Sequence, residues 1–423
     1  MGGQAQGLSL RIQGSNTVGA QLMPNLVRAW LTDQGYDSIG LEREGETSRL
    51  RGRDPGGEEV LVEIQARGSN TAFTGLYEGQ ADLGMASRRI KTQEIAQLAP
   101  NGIMTSLRNE HVIALDGIAV IVHPDNPLNQ LDKQQIRDIF AGKIKDWKKL
   151  GGRPGVIRLH ARDDQSGTYD VFRALVLGKT TKLAQSATRY PSNRDLSEAV
   201  TSDPQGIGFV GLPYVLQAKA LAVADGEAPP IAPSRFSVAT EDYALSRRLY
   251  VYVTDRQPAD SPARQLLGYI HSDAAQGIIA DTGFVSQEVF AEDFPLDDHY
   301  PAEMRELSRG AKRLSVNMRF AEKTVYLDNK AKRDADRVYR FLEQAGKLKS
   351  GLMIFGFAEI KPQGMRSKDF NRSVRRADQV GKYLRNRGVW VVTSRGYGGA
   401  APVASNGSPQ GQEKNRRVEL WLK

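Results

Sequence analysis

Apolar residues recur along this chain at two spacings, and the alternation between those spacings predicts its architecture. Over residues 8–285, short runs rich in Val, Ile and Leu alternate with helix-spaced apolar stripes and glycine turns. That is the pattern of an α/β domain with mostly parallel strands. Residues 9–13 predict a strand, followed by an amphipathic helix carrying Leu22, Leu26, Val27 and Trp30. Residues 60–64 predict a second strand, followed by a helix with Phe73, Leu76 and Tyr77. Residues 116–123 and 249–253 predict further strands, and 263–279 a closing helix. Two lobes are expected, one of residues 8–115 and 220–285 and one of 116–219. Residues 286–311 turn acidic and then irregular, from Glu292-Asp293 to Asp297-Asp298, and predict a linker. The pattern then restarts. Strands at 314–320, 352–357, 389–396 and 416–422, with helices at 329–345 and 367–386, predict a small α+β domain over 312–423.

The length of 423 residues agrees with more than one domain. No apolar run approaches the length that spans a membrane. Residues 1–7, Met-Gly-Gly-Gln-Ala-Gln-Gly, lack an apolar segment, so no signal peptide is expected within this chain. The absence of cysteine removes disulfides, thiolate metal sites and cysteine nucleophiles. The net charge of +9 is uneven. Residues 312–423 hold 25 Lys and Arg against 10 Asp and Glu, while the remainder is net acidic. A basic C-terminal block suits an anionic surface. Nucleic acid is not expected, because no aromatic-rich binding motif accompanies the basic residues.

The chemistry concentrates in three turns. Gly14-Ser15-Asn16-Thr17 and Gly68-Ser69-Asn70-Thr71 each follow a predicted strand and open a predicted helix. Arg162, Asp164 and Ser166-Gly167-Thr168 precede a helix carrying Tyr169, Val171, Phe172, Leu175 and Val176. Small hydroxyl residues and glycine at a helix start commonly act as caps. Exposed N–H groups with a nearby arginine also hold anions, and both roles use the same unsatisfied donors. Three turns of one kind, one bearing an arginine, favour the anion site. Five scattered histidines show no ligand spacing, and Ser166 has neither a nucleophile elbow nor a visible triad. An enzyme, a metal site and a cofactor are therefore not expected.

Taken with Ala81–Arg88, Asp138-Ile139-Phe140, Trp147 and Gly206-Ile207-Gly208-Phe209, these turns resemble the PstS-like phosphate-binding receptors of ABC transporters. The resemblance covers nearly all of residues 8–285. It implies a two-lobed periplasmic-binding-protein, or Venus-flytrap, fold closing on inorganic phosphate or a similar oxyanion. The implied contacts are Ser15, Asn16, Thr17, Ser69, Ser87, Arg162, Asp164, Ser166, Gly167 and Thr168. Some family members carry an aspartate after the Ala-Ser that accepts a proton from phosphate; Arg88 stands there in this chain. Arg88 is expected to touch the anion, to pair with an acid of the facing lobe, or to lie solvated beside Arg89. Asp164 is expected to take the acceptor role or to hold Arg162. An ABC permease is the partner such receptors serve.

Residues 312–423 resemble the OmpA-like peptidoglycan-binding domain through Gly356-Phe357-Ala358-Glu359, Arg376-Ala377, Gly396-Tyr397-Gly398 and Asn415–Leu420. The family grips the diaminopimelate of the wall stem peptide with an Asp and an Arg. Arg376 matches the Arg, Glu359 takes the place of the Asp, and Asp369 stands where an Asn is usual. Arg376 is expected to point away from the helix face formed by Phe370, Val374, Ala377, Val380 and Leu384. Arg416-Arg417 are expected to form a fold-supporting ion pair near the last strand. Together the two resemblances imply a wall-tethered oxyanion receptor in the periplasm of a Gram-negative bacterium. The alternatives are a structural or adhesive envelope protein whose flytrap has lost or changed its ligand, and a phosphatase-like enzyme.

Overall fold

Residues 8–164, 166–321, 324–360 and 367–423 are described by the computed structural model, the side chain of Lys368 aside. They divide into two compact units. One comprises the chain up to Asp116 with Asp163–Val171 and Arg247–Ser286; the other comprises Gly117–Arg162, Phe172–Ser246 and Gln287–Lys423.

In the first unit, the alternation in Ser9–Gly14 buries Leu10 and Ile12 within a sheet. The neighbours run in the order Asp37–Glu44, Thr47–Arg53, Glu59–Gln65, Ser9–Gly14, Leu83–Ala86 and Ser246–Tyr252. Ser9–Gly14 pairs parallel with both its neighbours, while the other pairs are antiparallel. The sheet is therefore mixed rather than mostly parallel. A hairpin with Gly45-Glu46 at its turn supplies the antiparallel edge. Helix Leu22–Asp33 lays Leu22, Leu26, Val27 and Trp30 on the core beside Val62, Ile64, Leu83, Met85 and Val251. The expected helix 263–279 is two helices, Pro262–Ile270 and Asp273–Asp281. Ser272 breaks it, its hydroxyl accepting from the Ala275 N–H at 3.3 Å.

In the second unit, Gly206–Gly211 lies between the end of Glu110–Val122, antiparallel, and Arg158–Arg162, parallel. Phe172 stacks on Phe209 at 3.9 Å, and Phe140 meets both edge-on. Residues 220–246, expected in the first lobe, belong here. Ala222–Ala224 pairs with Gln130–Asp132, and the Tyr243 hydroxyl donates to the Ile118 carbonyl at 2.8 Å. Residues 163–171 move the other way, into the first unit. Both reassignments follow from pairings between segments far apart in sequence, which local periodicity does not report.

The C-terminal part of this unit carries a sheet in the order Ala291–Asp293, Lys312–Arg319, Arg417–Leu422, Leu352–Gly356, Val391–Gly396. Helices Asn329–Gln344 and Ser367–Arg385 cover one face, packing Val338, Leu342, Ala377, Val380 and Leu384 on Leu314, Val316, Met318 and Leu420. Phe370 does not join them; it is exposed. The segment read as a linker carries strand Ala291–Asp293 and helix Ala302–Leu307. It buries Tyr300 and Met304 against Phe355, Phe357 and Trp421. Its apolar residues are interleaved with the acidic run, which hides them from a charge-based reading.

The opposite face of Lys312–Arg319 is charged yet buried. Arg313, 1% exposed, lies 2.7 Å from Asp242 and 3.2 Å from Glu419. Asn317 donates to Asp242 at 2.8 Å and to the Thr240 carbonyl at 2.9 Å. Arg417 donates to Glu419 at 2.8 Å. Lys414 donates to the Tyr243 carbonyl and the Ser246 hydroxyl, and burial pushes its ammonium down to about 7. These bonds seat the C-terminal sheet on residues 240–246.

Candidate functional site

The first two turns meet through backbone. The Gly68 N–H donates to the Gly14 carbonyl, and the Ser15 N–H to the Met85 carbonyl, both at 2.8 Å. Gly14 has φ +140°, and a Cβ there would lie 2.0 Å from the Met85 oxygen. Gly14→Ala is therefore expected to cost at least ~3 kcal/mol of stability, read as a lowered urea midpoint. A midpoint unchanged from the parent would contradict this packing.

Around this frame, Ser15 is buried, and Asn16 presents a buried Oδ1 with no hydrogen-bond partner among the described residues. Ser69 and Ser87 sit oxygen to oxygen at 3.2 Å, and the Ser87 N–H donates to Ser69 Oγ at 3.0 Å. Segment 163–171 adds the third turn. Ser166, 5% exposed, accepts from the Tyr169 N–H at 3.3 Å and so caps helix Gly167–Phe172. A Cβ on Gly167 would fall 2.1 Å from Thr17 Oγ1, so only glycine allows this approach. Thr168 is half-buried beside it, and Asp164 is exposed.

A residue that the sequence did not single out joins these turns. Arg247 is held by Asp116, with Nε donating to Oδ2 at 3.1 Å. Its Nη2 donates to Thr17 Oγ1 at 2.9 Å and to the Gly167 carbonyl at 3.3 Å, and Nη1 to the Ser87 carbonyl at 3.4 Å. Burial pushes its guanidinium below the usual range, partly offset by Asp116. One partly buried cation thus touches Thr17, Ser87 and Gly167. In sequence it is one of two adjacent arginines at the start of a strand. Its partner Asp116 lies 131 residues away, so no motif marks it.

Arg88 is engaged within its own unit. It pairs with Glu94 at 2.6 and 2.8 Å, donates to Asn70 Oδ1 at 2.7 Å and covers the Phe73 ring at 5.0 Å. The acid it finds is six residues along the chain and not on a facing lobe, because helix Thr92–Leu98 carries Glu94 back to it. Arg162 belongs to the second unit. Its Nε and Nη2 donate to the carbonyls of Tyr190 and Pro191 at 3.2 and 2.9 Å.

A second cluster lies in the C-terminal domain. Glu359 follows strand Leu352–Gly356, and helix Ser367–Arg385 carries Asp369, Arg372 and Arg376. Glu359, Asp369 and Arg376 are all at most 3% exposed, so Arg376 is buried rather than turned outward. Arg376 Nη1 is 3.6 Å from Glu359, and Nε donates to the Thr324 carbonyl at 3.1 Å. Arg372 lies 3.1 Å from Asp369. Arg417 forms the expected fold-supporting pair with Glu419, whereas Arg416 faces Glu359 at 3.9 Å. Desolvation lowers Arg376 to about 10; Glu359 opposes this, and Arg416 and Arg372 add to it.

Hydroxyl-rich turns on an α/β unit, followed by a small α+β domain with its own buried charge cluster, define a binding protein with an appended domain. Residues 56–274 match the PBP superfamily domain, and residues 319–416 match the OmpA family. The chain belongs to the PBP superfamily, as a PstS-like member carrying a C-terminal OmpA family domain. It is 30% identical to "Phosphate-binding protein PstS" of Pseudomonas aeruginosa, over 53% of this chain and 74% of that one. It is 29% identical to the protein of the same name from Staphylococcus saprophyticus, over 54% and 72%. An ABC-type phosphate transport receptor structure from Vibrio cholerae shares the fold. Its TM-score is 0.51 at 24% identity, covering 65% of this chain and 99% of that one. Both families are non-enzymatic, as the sequence led one to expect. The OmpA family domain implies peptidoglycan as a partner and a place in the cell envelope. Among the described residues no helix is long and apolar enough to cross a membrane, and no group of acids and histidines could hold a metal ion.

Proposed function

We propose that this protein is a phosphate receptor of the Gram-negative periplasm, tethered to the cell wall and serving an ABC permease. The observation that carries the phosphate reading is the gathering of Thr17, Ser87 and Gly167 on one partly buried guanidinium, that of Arg247. Ser15, Asn16, Ser69, Ser166 and Thr168 add hydroxyl, amide and backbone groups of the kind that hold an oxyanion. Arg162 supplies counter-charge, and Asp164 accepts the proton of monohydrogen phosphate. Sulfate has no proton to offer, so an acceptor carboxylate favours phosphate. The names of the PstS relatives support this reading. Arg88 supports the second turn through Asn70 and is not needed on the anion.

Calorimetry of the full chain should show phosphate binding with sulfate much weaker. Arg162→Ala should cost ~3 kcal/mol or more of that binding, since a desolvated anion loses its counter-charge. No heat with millimolar phosphate would end the proposal.

The C-terminal domain binds the wall stem peptide in this reading, with Arg376 on a carboxylate and Glu359 and Asp369 framing it. Charge alone would give adhesion that salt removes. The full chain should sediment with purified sacculi in high salt, and Arg376→Ala should stay in the supernatant. If that variant sediments like the parent, the domain is a basic adhesive surface without a specific site.

A further inference from the structure

Among the described residues the cluster around Arg376 holds more positive than negative charge, and most of it is buried. Glu359 Oε1 lies 3.9 Å from Arg372 Nη1 and 3.9 Å from Arg416 Nη1, while Oε2 lies 3.6 Å from Arg376 Nη1. Asp369 is matched by Arg372 at 3.1 Å. Among the described residues three guanidiniums thus face two carboxylates, and of these five side chains only Arg372, at 18%, is more than a tenth exposed. Arg376 Nη1 and Nη2 and Arg416 Nε have no hydrogen-bond partner among the described residues. These atoms can only donate, so what satisfies them must accept. Glu359 Oε2 and Asp369 Oδ2 also lack a hydrogen-bond partner. Both belong to carboxylates that already face guanidiniums, and a cation reaching Glu359 Oε2 would sit against Arg376.

We propose that this pocket takes a carboxylate and turns away an ammonium, with Arg372 the residue that decides it. The proposal rests on the wall-binding reading above and narrows its ligand. By resemblance Glu359 takes the place of the Asp that grips diaminopimelate; in the structure Glu359 faces three arginines. The unbonded fork of Arg376 accepts a carboxylate in two parallel bonds, and that anion balances the surplus charge. An ammonium would be a fourth cation in a desolvated cluster, where like charges repel strongly. Burial is the main cause of the lowered proton affinity of Arg376, and repulsion from Arg416 and Arg372 adds to it. The ligand class is therefore a wall-peptide carboxylate whose neighbouring nitrogen is acylated, not a free zwitterion.

The test uses three seven-carbon probes on the full chain, with phosphate saturating: pimelate, meso-diaminopimelate and 1,7-diaminoheptane. Pimelate should bind at least ~10-fold tighter than meso-diaminopimelate, the diamine should not bind, and Arg376→Ala should abolish the pimelate signal. Arg372→Leu should bring pimelate and meso-diaminopimelate to within ~3-fold, and Arg372→Gln serves if the leucine variant unfolds. Sedimentation with sacculi together with a preference for meso-diaminopimelate would overturn this inference and leave wall binding intact. An unchanged preference in a folded Arg372 variant would overturn the role of Arg372. Failure to sediment with sacculi and to bind any probe would remove the wall reading and this inference with it.

Discussion

Arg247→Met is expected to weaken phosphate binding by ~100-fold or more, about 3 kcal/mol. The Arg247 side chain is only 11% exposed, and its donors reach Thr17, Ser87 and Gly167, which come from three separate segments. Methionine keeps the apolar stem but removes every one of those bonds and leaves Asp116 without its cation. An unpaired carboxylate at this place would also repel an incoming anion. Arg247→Met/Asp116→Asn removes that repulsion while still lacking the guanidinium. The double variant should therefore recover some affinity, yet remain well below the parent. Calorimetry gives both values, and unfolding midpoints show whether the variants are folded. A Kd for folded Arg247→Met within threefold of the parent would mean that Arg247 only braces the fold.

The second large effect concerns stability. Arg313→Ala is expected to cost ~3–5 kcal/mol, because Asp242 and Glu419 would be left buried without their shared cation. Desolvation works to raise the Asp242 carboxyl, but Arg313, Arg417 and Arg319 outweigh it and hold it below the usual range. A carboxyl lowered in the folded state stabilises the fold fully above its unfolded value of ~3.9. That contribution fades as pH falls through the lower, folded value. The parent should thus lose stability on acidification below pH ~4, and Asp242→Asn should flatten that part of the curve. Urea unfolding between pH 3 and 7 measures both. Parallel acid limbs for parent and Asp242→Asn would show that Asp242 does not drive the loss.

Much of this protein was legible from spacing. The C-terminal elements were read to within a residue or two, since Leu314, Val316 and Met318 alternate and Ala377, Val380 and Leu384 recur at helical intervals. The hydroxyl turns were legible because Gly-Ser-Asn-Thr occurs twice between a strand and an apolar helix, and Ser166-Gly167-Thr168 opens a third helix near Arg162. Three things were not legible. Arg247 looked like one more surface arginine, as its meaning depends on Asp116 and on the turn at Gly167. Residues 286–311 looked like a tether, as charge masked Tyr300 and Met304. Arg376 looked outward-facing, as helical spacing reports which side is apolar and not what covers the polar side.

The sequence by itself determined where the chain becomes strand and helix, and it placed the groups able to hold an anion at backbone turns. Period-2 and period-3.6 burial are local consequences of backbone geometry, so they are written in neighbouring residues. Tertiary structure alone decided which polar faces see water. Arg313, Asn317, Arg319, Arg417 and Glu419 alternate with apolar residues as a solvated strand face would, yet they are buried. Residues 240–246 supply Asp242 and the Thr240 carbonyl to that face. The cost of removing a charge from water is repaid only by a partner at short range. Where that partner comes from 70 or more residues away, the fold, and not the local pattern, selects it.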